Sequence, residues 1–272
     1  MREAQTPPEV VQRLLAAAGP HLILVGGQAL AFWMSRYDVS APEEFAFVSR
    51  DMDFLTRSAG DKDEVIRLAK ILGGRAVIPH ERALTALVGQ AVRPLDDEQY
   101  INVDIVFKVY GANAELVRKA AVDVNDADLL FRVMHPMDVL KSRLDNLYGL
   151  KEKQTALGQA QLEAAIRVAQ RFQRSIADEL RPSAGARSPV LRFAKFIEGL
   201  ALSDAGRKVA ERARVFVADA IEPAAVDAVG FRETKLPRLL GMMSPQRRDE
   251  LAHEPPRRAP SRTKARRGDA VP

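Results

Sequence analysis

Asp51 and Asp53 are separated by a single methionine, and Asp104 stands between Val103 and Ile105 in an otherwise apolar run. On an extended strand, residues i and i+2 project to the same face, so the Asp51 and Asp53 carboxylates converge on one spot. Two carboxylates side by side repel unless a cation lies between them. Mg²⁺ takes one or two carboxylates together with substrate phosphates. An Asp-x-Asp also arises by chance at exposed strand ends. A carboxylate at Asp104, flanked by apolar residues, is costly without a partner. An Arg or Lys would satisfy it, and so would a metal shared with Asp51 and Asp53. Three carboxylates from two strands could hold two Mg²⁺ ions, which align an attacking oxygen and neutralise a leaving pyrophosphate. Gly26-Gly27 adds a second element. A strand that ends in Gly-Gly before a helix lets the backbone approach a phosphate and aims helix N–H groups at it. It is also ordinary tight-turn structure. Gln28, in the first helical turn, either orients a ligand or caps the helix.

The elements that must position these residues are legible in outline. Thr6-Pro7-Pro8-Glu9 has the form of a helix start, with a capping Thr and early prolines. The helix over Val10–Ala18 stops at Gly19-Pro20. Leu22–Val25, apolar at every position, predicts a buried strand, and the helix over Gln28–Met34 follows. Further strands are predicted over Asp51–Thr56, Arg75–Ile78, Leu84–Val88 and Ile101–Val109, the last alternating apolar and polar residues. Asp61–Leu72 predicts a helix with an Asp61/Glu64 capping box and a stop at Gly73-Gly74. From Pro136 the pattern turns helical as far as Leu180, with Leu140, Leu144 and Leu147 at helical spacings. Arg181–Gly185 is a break, and Val190–Leu202 and Ser203–Ile221 are further helices. The sequence thus divides into an α/β part over 1–135, a helical part over 136–245, and a basic tail over 246–272 that is expected to be disordered from Glu254 onward.

Composition narrows the classes. The chain has 272 residues, 47% of them hydrophobic and 28% charged, as in ordinary globular proteins. It has no cysteine, which rules out disulfides and Cys-ligated metals and fits a cytoplasmic protein. The first residues lack the apolar run of a signal peptide, and His21–Met34 is too short to span a bilayer, so no membrane association is expected. Of the 41 basic and 36 acidic residues, eight and four lie in 246–272, which leaves 33 against 32 elsewhere. The body therefore carries no general basic field. The tail is either a solubilising end or an electrostatic attraction for nucleic acid. His21, His80, His135 and His253 show no metal-ligand spacing, and Trp33 reads as core.

The run Leu24-Val25-Gly26-Gly27-Gln28-Ala29-Leu30, then Asp51-Met52-Asp53-Phe54, then Val103-Asp104-Ile105, resembles the nucleotidyltransferase superfamily, and within it the AbiEii-type enzymes of abortive-infection and type IV toxin–antitoxin systems. The resemblance covers about residues 20–155. It implies a nucleotidyltransferase-type mixed α/β sheet with flanking helices, followed by a helical region. It also implies that Gly26 and Gly27 bind nucleotide phosphates, that Asp51 and Asp53 hold both metals, and that Asp104 holds the catalytic metal and helps deprotonate the acceptor. Lys141 matches the lysine that relatives place on the first helix after the sheet to reach the triphosphate, and Arg143 is a second candidate of that kind. Lys141 could equally pair with Asp138 or Asp145 on the helix surface. Two departures stand out. The 23 residues between Gly27 and Asp51 exceed the compact motif, so Arg36–Arg50 is expected to form a lid or shape an acceptor site, with Arg50 beside a phosphate or a carboxylate. Lys151-Glu152-Lys153-Gln154 lacks the Asp that many relatives carry there.

The expected activity is Mg²⁺-dependent transfer of a nucleoside monophosphate from an NTP to an acceptor hydroxyl. RNA, tRNA or a small molecule would be the acceptor and a cognate antitoxin a partner. The alternative is a degenerate domain that binds a nucleotide or a protein without turnover. A purely helical interaction protein would leave the aspartates unexplained.

Overall fold

The computed structural model describes residues 2–40, 51–126, 129–180, 189–226, 228 and 230–253. The fold is mixed α/β. Strand β1 (Arg2–Glu3) precedes helix α1 (Pro8–Ala18), strand β2 (Ile23–Val25), helix α2 (Gly26–Arg36), strand β3 (Met52–Leu55) and helix α3 (Lys62–Leu72). Strands β4 (Arg75–Val77), β5 (Leu87–Pro94) and β6 (Gln99–Val106) follow, then helix α4 (Ala114–Ala120) and strands β7 (Val122–Asp126) and β8 (Leu129–Val133). The rest is helical: α5 (Pro136–Gly149), α6 (Ala156–Leu180), α7 (Pro189–Leu202), α8 (Asp204–Ala213), α9 (Leu236–Leu240) and α10 (Pro245–His253).

The strands form one eight-stranded mixed sheet in the order β4-β5-β6-β3-β2-β8-β7, with β1 pairing to β6. Strand β2 sits inside the sheet, antiparallel to β3 and parallel to β8, which explains why its three residues are all buried. Helices α1 and α3 pack together against the sheet, and α2 packs against β3, α5 and α6. The apolar core runs without a break from Leu24, Phe54 and Ile105 of the sheet to Leu144, Leu162, Ala169 and Ile197 of the helices, across the 135/136 boundary. Among the described residues no helix is long and apolar enough to cross a membrane.

Several elements differ from the sequence pattern, each for a local reason. Leu84 is fully exposed and lies outside any strand. The strand expected there begins at Leu87 and continues to Pro94, because the hairpin turns at Asp96, whose Oδ1 accepts from the N–H groups of Glu98 (2.8 Å) and Gln99 (2.7 Å). The α4–β7–β8 unit was absent from the sequence reading; its elements are five to seven residues long, too short for periodicity to register. The helical run over 136–180 divides at Leu150, which is extended (φ −105°, ψ 113°) and leads into a 3-10 turn, Lys151–Lys153. Thr155 Oγ1 then accepts from the Gly158 N–H and starts α6. The helix expected over Ser203–Ile221 ends at Ala213, because Arg214 takes a left-handed conformation. Asp61 does not form a capping box: its carboxylate accepts from Thr56, Arg57 and Ser58, while Glu64 pairs with Arg67. Residue Pro7, not Thr6, occupies the N-cap of α1. Helix α10 lies within the segment read as tail, and its Arg247 is buried; residues 254–272 lie outside the described residues.

Candidate functional site

Strand β6 alternates: Ile101, Val103 and Ile105 are buried apolar residues, whereas Asn102 and Asp104 project to the other face. Strand β3 pairs with β6 in parallel register, so that Met52 lies beside Val103 and Asp53 beside Asp104. On its other side Asp53 is paired with Val25, the last residue of β2. Asp51 lies in the bend immediately before β3, two residues from Asp53. Register thus brings the three aspartates together: carboxylate oxygens of Asp51, Asp53 and Asp104 lie within 4.8 Å of one another, and all three residues are half-buried.

The glycine turn adjoins this cluster. Gly26 has φ +67°, in the left-handed region, and a Cβ placed there would stand 1.8 Å from Asp53 Oδ2. A side chain at 26 is therefore excluded both by backbone conformation and by the carboxylate. Gly27 is buried in the first turn of α2, and Gln28 is half-buried beside it. The N-terminus of this eleven-residue helix, which has no side-chain cap at Val25, begins beside the three aspartates.

Burial dominates the electrostatics of the cluster. Desolvation pushes Asp53 up to about 8, the charges of Asp51 and Asp104 add to this, and Arg143 and Lys153 pull it back only in part. Asp104 is also raised by desolvation, against hydrogen bonds from Gln90 and Asn102 that hold it down. Those two amides donate to the same oxygen, Asp104 Oδ1, at 2.9 Å and 2.7 Å, which leaves Oδ2 for a further ligand. Gln90 stands opposite Asp104 in the β5–β6 register.

The two basic candidates of α5 part company. Lys141 bonds to Asp145 Oδ2 (2.5 Å) and to the Gly111 carbonyl, so it forms the helix-surface pair. Arg143 is buried, its charge acts on Asp53 and Asp51, and it donates to Gln161 Oε1 at 3.1 Å. Its Nε is buried without a partner among the described residues. Lys153, exposed on the 3-10 turn after α5, is a further cation whose charge reaches Asp53. The sequence signal for it was the Lys-Glu-Lys run directly after the helix that carries Arg143. Asn102 was findable as the residue two before Asp104 on the same strand face; Gln90 was not, since only the register of β5 brings it there. Arg50 and residues 41–50 of the expected lid lie outside the described residues. Trp33 is buried and donates to the Met134 carbonyl at 2.8 Å, in the core as expected.

Three carboxylates with converging oxygens form an all-oxygen donor set of the kind hard divalent cations take. The Arg143 Nε is a buried donor with no partner among the described residues. The donor set fits a divalent cation. The sequence matches no protein-family model and no curated protein.

Proposed function

We propose that the protein is a nucleotidyltransferase that moves a nucleoside monophosphate from an NTP to an acceptor hydroxyl and releases pyrophosphate. The observation that carries this reading is the Asp51–Asp53–Asp104 cluster, set by strand register against a glycine turn that opens a helix. Asp51, Asp53 and Asp104 would hold Mg²⁺, which supplies charge neutralisation on the triphosphate and on the departing pyrophosphate.

The chain's own groups take the remaining tasks. Gly26 lets the Asp53 carboxylate sit directly against the turn, and the start of α2 beside it would present backbone N–H groups to a phosphate. Lys153 offers a cation at the solvent side of the cluster, and Arg143 offers one from the interior. Gln90 and Asn102 hold Asp104 Oδ1, so that Oδ2 is oriented to accept the acceptor's hydroxyl proton. As that proton leaves, the acceptor oxygen bonds to the α-phosphorus and the bond to the pyrophosphate oxygen breaks. RNA, tRNA and small hydroxyl compounds are the acceptor classes to survey, and a cognate antitoxin is the protein partner to seek.

A second reading, nucleotide binding without turnover, has its own support. Lys151–Gln154 carries no acidic ligand other than Glu152, and Lys141 is engaged by Asp145 and Gly111. Calorimetric titration of each NTP with Mg²⁺ into the wild type and an Asp51→Ala/Asp53→Ala variant separates the outcomes. Metal-dependent binding that the variant loses, followed by label transfer from an NTP to an acceptor, is expected. Binding without transfer to any acceptor favours the second reading, and no NTP binding by folded wild type overturns both.

A further inference from the structure

Outside the aspartate cluster, a cavity of about 110 Å³ opens where α5, the 3-10 turn after it, α6 and α8 meet. Its floor is apolar, with Leu147 and Val209. Its rim is polar and basic, with Tyr148, Gln159, Lys208 and Arg212. The cavity is smaller than the roughly 300–1,000 Å³ of a drug-sized ligand pocket, so it encloses a single ring and leaves an attached anion on the polar rim.

The rim is partly built and partly open. Asp204 Oδ2 accepts from Tyr148 Oη (2.6 Å) and from Lys208 Nζ (2.9 Å), which fixes both side chains at the cavity, and Lys208 Nζ lies 5.7 Å from the Tyr148 ring centre. Asp204 thereby offsets much of the Lys208 charge. Arg212, one turn along α8, has no hydrogen-bond or ion-pair partner among the described residues, and neither has the Gln159 side chain. The uncompensated groups are therefore a guanidinium and an amide. A guanidinium recognises planar or tetrahedral oxyanions through paired N–H groups, phosphate above all. The floor and the tyrosine ring suit an uncharged ring attached to that anion.

We propose that this cavity is a second anion site, which seats a nucleotide unit with its phosphate on Arg212 and Lys208 and its ring over Leu147 and Val209. Gln154, which also lines the cavity, follows Lys153, whose charge reaches Asp53, so the two sites share one short turn. The proposal does not depend on the chemistry of the aspartates, because nothing in the cavity requires a metal. A free mononucleotide and the end of an RNA strand present the same unit, and the test separates them.

Adenosine monophosphate and a short oligoribonucleotide are titrated into the full-length protein in excess EDTA, with chemical-shift or calorimetric readout. Metal-independent binding is expected, weakened about tenfold by Arg212→Gln, the loss of one charge-assisted contact. It should be unchanged in Asp51→Ala/Asp53→Ala and nearly absent for uncharged adenosine. Arg212 is exposed, so its replacement leaves folding intact, and Lys208→Met should act in the same direction. Equal affinity for the mononucleotide and the oligonucleotide assigns the site to free nucleotide; tighter oligonucleotide binding that Arg212→Gln loses assigns it to an RNA end. Absence of metal-independent binding, binding indifferent to Arg212, or binding lost only in the aspartate variant overturns the proposal.

Discussion

At the scale of single residues, Gly26 and Asp53 must be considered together. The carboxylate occupies the space in which any Cβ at 26 would lie, so Gly26→Ala displaces Asp53 as well as straining a left-handed backbone. The conformational part alone costs about 1–2 kcal/mol. A Tm several degrees lower and loss of Mn²⁺ binding, read by thermal melts and metal titration, are expected. Wild-type metal affinity in Gly26→Ala would detach the glycine turn from the site. Gln90 acts one step further out. Gln90→Leu removes one of two donors to Asp104 Oδ1, and such outer partners are worth about 10–100-fold in metal affinity. The variant should keep its circular dichroism spectrum and weaken Mn²⁺ binding by about tenfold; unchanged affinity would show that Asn102 alone orients the carboxylate.

At the scale of elements, α5 carries Arg143 toward the aspartates, and its start depends on His135. The His135 Nδ1 accepts from the Met137 N–H at 3.1 Å, while its ring packs against Phe172 and Phe193. Burial, with Arg192 nearby, lowers its pKa from 6.5 to about 4. The folded state thus binds the proton less readily than the unfolded chain, whose histidine titrates near its ordinary value. Stability from this group is complete above pH 6.5 and is lost progressively as pH falls toward 4. Protonation also abolishes the cap, since Nδ1 then becomes a donor. Denaturant melts from pH 7 to 4 should show a decline that His135→Asn, which keeps a capping oxygen without a titrating ring, largely removes. An identical pH slope in the variant would place the titrating group elsewhere.

At the scale of the whole molecule, a buried ion network ties the C-terminal helix to the body. Glu222 is fully buried and accepts from Arg174 (2.6 Å) and from Arg247 of α10 (3.4 Å), and Arg247 also donates to the Ile221 carbonyl. Removing the shared carboxylate leaves the buried Arg247 with only the half-exposed Glu250 as counter-ion and the part-exposed Arg174 without this one, and breaking a buried ion pair typically costs about 3–5 kcal/mol. Glu222→Leu should therefore destabilise the protein by roughly that amount in denaturant melts, whereas Arg247→Met should mainly release α10, seen as faster amide exchange over 245–253. Equal exchange in wild type and Arg247→Met would show that α10 is held by apolar contacts alone.

The residue types at the site were legible in the sequence. An Asp-x-Asp at a strand start, a lone Asp in an alternating strand and a Gly-Gly after an apolar run each carry a local signature, because strand period and turn chemistry are short-range properties. The long helices were legible for the same reason, through the spacing of Leu140, Leu144 and Leu147. Short-range signals fail where an element is short or where two sequence-distant segments meet. The elements of the α4–β7–β8 unit are too brief to show a period, and the helix over 246–253 is concealed in the sequence by its tail-like basic composition, although Arg247 is buried and Leu251 packs against the core. Lys141 and Arg143 differ little as letters two positions apart on one helix. Only packing sends one to Asp145 and the other to the aspartates, because a two-residue step on a helix turns a side chain about 200° around the axis. The convergence of Asp53 with Asp104 and Gln90 likewise came from strand register, which is set by burial of the opposite sheet face rather than by the polar residues themselves. Sequence determined which side chains were available for the chemistry, and tertiary structure decided which of them share a site.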